Sequence, residues 1–314
     1  MLALLFPGQG AQAVGMGRDV FETSDAARAV FETADAALGF SLSRLCFEGP
    51  EEELVRTEVQ QPAILTTSVA LLRALEERIA LEPAYYAGHS LGEYTALVAA
   101  GALDFEDAVR LVQARGRFMQ EAVPAGRGAM AAVLGLPAEQ VEQACRVVAG
   151  QTGRVVAPAN YNGPSQTVIS GDAAAVESAC ARARQQGAKR AVPLEVSAPF
   201  HCALMEPAAQ KLALELARVR FRTPSAPIVT NVEAAPCADA ARLAALLQEQ
   251  VTAPVRFTEM VGTLAGAGVD RILEIGPGRV LTGLVARISR AIARASLGSG
   301  EELPAAVEFA AAGP

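Results

Sequence analysis

Tyr85-Tyr86-Ala87-Gly88-His89-Ser90-Leu91-Gly92-Glu93 is the stretch from which the fold of this chain is read. A short apolar run enters a glycine-bracketed serine, and mostly helix-favouring residues follow to Ala100, with Gly101 placed as a C-terminal cap. This is the form of a nucleophile elbow, in which a serine sits at a sharp strand-to-helix turn. Small neighbours let backbone approach closely and leave the hydroxyl exposed. The helix that follows aims its free N–H groups, and the positive end of its dipole, at an oxygen that turns negative during acyl transfer. The pentapeptide also arises by chance, so its context matters.

Such a serine needs a base, and the chain has two histidines. His89 adjoins Ser90, and neighbouring side chains diverge at a tight turn. By elimination the base is His201, in Ser197-Ala198-Pro199-Phe200-His201-Cys202, a loop-like segment after the apolar strand candidate Ala191 to Val196.

Working outward, apolar segments alternate between strand-like and helix-like lengths, the pattern of an α/β architecture. Strands are expected at Leu2 to Phe6, Ala84 to Ala87, Ile228 to Asn231 and Ile272 to Ile275. A long helix is expected over Pro62 to Ile79, with proline in its first turn. Between Gly128 and Leu194 the order reads strand, helix, strand, hairpin through Asn162-Gly163-Pro164, strand, helix, strand. That is the βαββαβ order of a ferredoxin-like unit. Pro124-Ala125-Gly126 and Ser197-Ala198-Pro199 mark the crossings, giving a large domain of 1–125 and 198–314 and an inserted small domain of 126–197. Ser90 precedes the insertion and His201 follows it, which puts the site at the cleft between the two.

With 314 residues and 51% hydrophobic content the chain can bury a large core. Met1 to Phe6 is short, lacks a basic start and is ended by Pro7, so it reads as a first strand rather than a signal peptide. No other apolar run reaches membrane-spanning length, and the expectation is a cytoplasmic enzyme without a membrane association. Five cysteines without a Cys-x-x-Cys pair argue against a disulfide framework or a zinc site. A net charge of -7 gives no support to nucleic-acid binding.

Three more segments have open readings. Phe6-Pro7-Gly8-Gln9-Gly10 is either a plain turn after a strand or a loop that brings the Gln9 amide to an oxyanion site. Arg115 lies in a helical pattern, where chemistry aside a solvated arginine is the simpler reading. Gly276-Pro277-Gly278, before the helix candidate Val280 to Ile288, reads as a tight structural turn before it reads as a phosphate loop. Ser296 onward is expected to fray.

Phe6-Pro7-Gly8-Gln9-Gly10, Gln61-Pro62-Ala63, Gly88 to Glu93, Arg115, Asn160-Tyr161-Asn162-Gly163-Pro164, Phe200-His201 and Glu274-Ile275-Gly276-Pro277-Gly278 occur in order over nearly the whole chain. Together they resemble the malonyl-CoA:acyl carrier protein transacylases of fatty-acid synthesis and the acyltransferase domains of polyketide synthases. The resemblance implies an α/β-hydrolase-like large domain with a ferredoxin-like insertion. It implies malonyl-CoA as substrate, an acyl carrier protein as partner, no bound cofactor or metal, and a chain acting as a monomer. Carried onto these positions, it makes Ser90 the acylated nucleophile, His201 its base, and Gln9 with the Leu91 N–H the oxyanion hole. Arg115 becomes the malonyl carboxylate's partner, and the Gln250 backbone carbonyl orients His201. Phe200 departs from fatty-acid enzymes with serine there and resembles malonyl-selective polyketide acyltransferases, where the ring crowds a methyl on the extender. Asn160 and Asn162 are read first as turn-forming, and Lys189 with Arg190, or Arg287 with Arg290, first as solvated surface and second as basic pairs able to meet an acidic carrier. A discrete acyltransferase supplying a polyketide synthase, a thioesterase using the same serine and histidine, and a silent carrier-docking subunit are the rival readings.

Overall fold

The computed structural model describes residues 1–312. Among these, ten strands form: β1 (Leu2–Phe6), β2 (Tyr85–Gly88), β3 (Gly128–Leu134), β4 (Val156–Gly163), β5 (Gln166–Asp172), β6 (Arg190–Pro193), β7 (Ile228–Val229), β8 (Pro236–Cys237), β9 (Arg271–Ile275) and β10 (Ala293–Leu297). They build a mixed α/β molecule with one large and one small sheet.

The large sheet runs β10-β9-β1-β2-β7-β8 and is parallel except for β8 at its edge. All five residues of β1 are buried, because helices cover both faces of a parallel sheet and each face needs apolar side chains. Leu2, Leu4 and Phe6 pack into one core with Ile64, Leu65 and Leu97, whereas Ala3 and Leu5 face Phe257, Val261 and Val285. The alternation is the period of two of a strand.

The small sheet is antiparallel in the order β4-β5-β3-β6. Helices Ala138–Thr152 and Ala173–Gln185 cover one of its faces, meeting Ala131, Val133 and Ile169. The alternate residues Met130 and Val168 turn to the other face and join the large core. A bridge from Asn160 to Val255, with Tyr161 N–H donating to Val255 O and Val255 N–H to Ala159 O, each at 2.9 Å, ties the small sheet to the segment ahead of helix Phe257–Gly266, beside the site.

Three expectations are corrected. The long helix begins at Thr57, not Pro62, and ends at Glu76. Proline in a helix interior costs about 3 kcal/mol, but 17 of the 20 residues of this helix are buried, so packing outweighs the lost bond. The hairpin turn is confined to Pro164 and Ser165, and β4 continues through Asn160 and Asn162 with register shifts on either side of them. Residues 296–311 do not fray: Ser296 and Leu297 end the edge strand β10, and helix Leu303–Ala311 buries Leu303 and Ala306 against the core, while 313 and 314 lie outside the described residues.

Candidate active site

At the end of β2 the chain turns sharply into helix Leu91–Ala99. A Cβ on Gly88 would lie 2.0 Å from the Gly92 carbonyl, and one on Gly92 2.1 Å from Phe6 O, so neither position admits a side chain. Ser90 between them has φ 52°, a left-handed conformation that costs a non-glycine residue about 1–3 kcal/mol and needs surrounding support. Asn231, just past β7, provides it: its Nδ2 donates to Gly88 O at 2.7 Å and its Oδ1 accepts the Ser90 N–H at 2.6 Å. One amide thus clamps both sides of the turn.

Ser90 Oγ lies 2.7 Å from His201 Nε2, and His201 Nδ1 lies 2.8 Å from Gln250 O. A carbonyl accepts only, so Nδ1 carries the proton and Nε2 is left bare to take one from the serine. Burial, followed by the charge of Arg115, pushes the His201 pKa down to about 3, so the ring is neutral at neutral pH. His201 also has positive φ, at 58°. His89 turns away from Ser90: its Nε2 pairs with Asn162 Oδ1 at 2.9 Å and its ring tilts against Phe257.

Arg115 is not a solvated arginine. It is 1% exposed on helix Phe105–Glu121, which comes close to helix Thr57–Glu76 because a Cβ at Gly116 would sit 2.5 Å from Thr57 O. Its Nη1 donates to Gln61 Oε1 at 2.8 Å, and its Nη2 donates to Gln250 Oε1 at 2.9 Å and Ser90 Oγ at 3.0 Å. The guanidinium lies 5.4 Å from the Tyr94 ring centre, and its buried Nε has no hydrogen-bond partner among the described residues.

The sequence reading missed the polar frame behind these groups. Glu93, 1% exposed, accepts at one oxygen from Gln250 Nε2 at 2.7 Å and from Asn231 N–H at 3.1 Å. Gln250 Nε2 also reaches Ser90 O at 3.1 Å. Burial raises the Glu93 carboxyl to about 7 against these hydrogen bonds and Arg115. The only trace of this frame in the sequence is an acid in an otherwise small and apolar helix, one turn past the serine.

A cavity of about 410 Å³ opens onto Ser90 between the two sheets, with Gln9, Arg115, Phe200, His201, Asn160 and Asn162 among its walls. Asn160 and Asn162 therefore serve the cavity wall rather than a turn. Phe200 is 7% exposed there, and Gln9 is half-buried. Leu91 opens the elbow helix, so its N–H has no helical partner. Ahead of helix Val280–Ile288, the first free N–H groups are taken by Glu274, which accepts from Leu281 at 3.0 Å and Thr282 at 2.6 Å. The Gly276 to Gly278 segment is accordingly a structural turn. Among the described residues no group of three His, Cys, Asp or Glu side chains is arranged for a metal, and no helix is long and apolar enough to cross a membrane.

Residues 3–298 match the family model described as "Acyl transferase domain". The chain is 48% identical over 307 residues to the malonyl CoA-acyl carrier protein transacylase of Escherichia coli strain K12, covering 98% of this chain and 99% of the relative. An acyl carrier protein S-malonyltransferase from Vibrio cholerae superposes with a TM-score of 0.95 at 45% identity, over 97% of this chain and 99% of that one. A malonyl-transacylase solved in complex with a type II PKS acyl-carrier protein gives 0.95 at 46% identity, over 98% and 99%.

Proposed function

The chain belongs to the acyl transferase family and, within it, to the malonyl CoA-acyl carrier protein transacylases, and from that premise we infer how its own residues divide the work. The enzyme moves the malonyl group from malonyl-CoA to the phosphopantetheine thiol of an acyl carrier protein through a malonyl-serine ester, supplying fatty-acid synthesis. Ping-pong kinetics follow from the two half-reactions.

In the first, Ser90 Oγ attacks the thioester carbonyl while His201 Nε2 takes its proton. The C–O bond forms, the C–S bond breaks, and the proton passes from His201 to the coenzyme A sulfur. The Leu91 N–H and the Gln9 amide hold the oxyanion, where losing one donor costs roughly 3 kcal/mol of transition-state stabilisation. The carbonyl of Gln250 replaces a triad carboxylate, since it needs only to accept the ring N–H. In the second half-reaction the carrier thiol attacks the ester and the proton path reverses.

Arg115 takes the malonyl carboxylate as a planar fork against a planar anion, which selects against uncharged acyl groups. The observation that carries this reading is that Ser90 Oγ is met from two sides, by the His201 ring at 2.7 Å and the Arg115 guanidinium at 3.0 Å. A hydrolase of the same serine and histidine has no use for the second contact.

We read the large sheet as α/β-hydrolase-like and residues 126–197 as an inserted ferredoxin-like domain, a reading supported by the small sheet's order of β4-β5-β3-β6. The test of function is intact-protein mass after brief exposure to malonyl-CoA, repeated with Ser90→Ala and chased with a pantetheinylated carrier. One malonyl adduct, absent in the variant and passed to the carrier, is expected. Steady release of coenzyme A with no adduct overturns the transfer in favour of hydrolysis, and neither adduct nor release in favour of a silent subunit.

A further inference from the structure

The serine–histidine pair has its orienting carbonyl and does not call for an acid, yet Glu93 is buried behind it. Glu93 supports both halves of the site at once. Through Asn231 N–H it holds the residue that clamps the Ser90 turn, and through Gln250 Nε2 it fixes the amide whose Oε1 receives Arg115 Nη2. A buried guanidinium needs a counter-charge, and among the described residues Arg115 bonds directly only to the neutral partners Gln61, Gln250 and Ser90. The acid nearest to it in this network is Glu93, one amide away.

We propose that Glu93 is the positioning residue and resident counter-charge of Arg115 in the free enzyme, that the malonyl carboxylate supplants it in this second role, and that loading therefore brings a proton onto Glu93. The proposal rests on the reading that the malonyl carboxylate docks on Arg115. Two carboxylates sharing one buried guanidinium cannot both stay ionised cheaply, and the one that malonyl brings is the stronger acid.

Burial holds the Glu93 carboxyl near 7 in the free protein, so little is needed to protonate it. The other titratable groups around it are fixed in charge at neutral pH. Arg115 faces it from helix Phe105–Glu121, Tyr94 follows it on its own helix with a hydroxyl pushed up to about 12, and burial keeps His201 and His89 neutral.

The experiment measures KM for malonyl-CoA between pH 6 and 8.5 for the wild-type enzyme and Glu93→Gln, with the malonyl adduct followed by mass in parallel. The wild-type KM is expected to rise above pH 7, approaching about tenfold per pH unit, while Glu93→Gln, which keeps an acceptor for Gln250 but has no charge to exchange, stays flat. Parallel curves overturn the proposal, and a wild-type adduct in the same samples keeps the transacylase reading intact in that event. A second measurement needs no variant. Ester formation from serine and a thioester releases a thiol and no net proton, so stoichiometric loading of wild-type enzyme at pH 7.5 in weak buffer is expected to take up a measurable fraction of one proton per malonyl ester. Zero uptake overturns the proposal.

Discussion

Arg115 Nη2 lies 3.0 Å from Ser90 Oγ, so the residue we assign to the substrate's far end also touches the atom we assign to attack its near end. The same nitrogen donates to Gln250 Oε1, and the backbone carbonyl of the same Gln250 lies 2.8 Å from His201 Nδ1. In our reading, recognition and attack are thus mechanically one assembly.

Replacing Arg115 with lysine should therefore cost more than charge logic suggests. A single ammonium cannot reach Gln61, Gln250 and Ser90 in one plane. We expect kcat/KM for malonyl-CoA to fall by at least about a hundredfold, as for loss of roughly 3 kcal/mol of charged hydrogen bonding. Arg115→Ala should in addition release extender choice or raise hydrolysis of the ester; assays of both that match the wild type would remove Arg115 from substrate recognition.

Asn231→Ala removes the amide that spans the elbow and leaves the Ser90 N–H and Gly88 carbonyl without their partner. Stability should drop by about 2–4 kcal/mol in a denaturant titration, in line with two buried groups left unpaired. The strained turn should relax with it, so kcat should fall more than KM changes. A variant with native stability and full kcat would show that the glycines alone hold the turn.

His201 and Glu93 give opposite stability slopes. His201 binds its proton near pH 3 when folded and near 6.5 otherwise, so the unfolded chain gains protons first and stability is lost as pH falls below 6.5. Glu93 binds near 7 when folded against an ordinary 4.5, so its contribution is present at low pH and lost as pH rises through 7. Both groups are buried. We expect His201→Gln to become stable relative to wild type as pH falls from 7 to 5, by up to about 1.4 kcal/mol per pH unit. Equal pH slopes for the two proteins would show that the ring titrates normally.

Phe200 lines the cavity beside His201, 7% exposed. Phe200→Ser should open room for a branched extender and raise kcat/KM for methylmalonyl-CoA relative to malonyl-CoA, by about 10-fold or more for one methyl group. An unchanged ratio in competition assays would place selectivity elsewhere.

Local features of the sequence were enough to determine the elbow, the alternation of strands and helices, and the strand–helix order between Gly128 and Pro193, because sterics of the turn and hydrophobic period act over a few residues. Composition pointed to His201 as the partner of Ser90, since two histidines left little choice. The resemblance suggested the roles we propose for Arg115 and the Gln250 backbone. The frame behind them emerged from folding alone. Gln61 and Arg115 are 54 residues apart, Asn231 and Glu93 138, Gln250 and Ser90 160. No periodicity links such positions, and a polar residue's identity does not say which way it points. Burial decided the rest: it carried Pro62 inside a helix, ordered Ser296 to Leu297 as an edge strand, and sealed Glu93 beside Arg115, since each outcome depends on the apolar surface that distant segments bring to cover it.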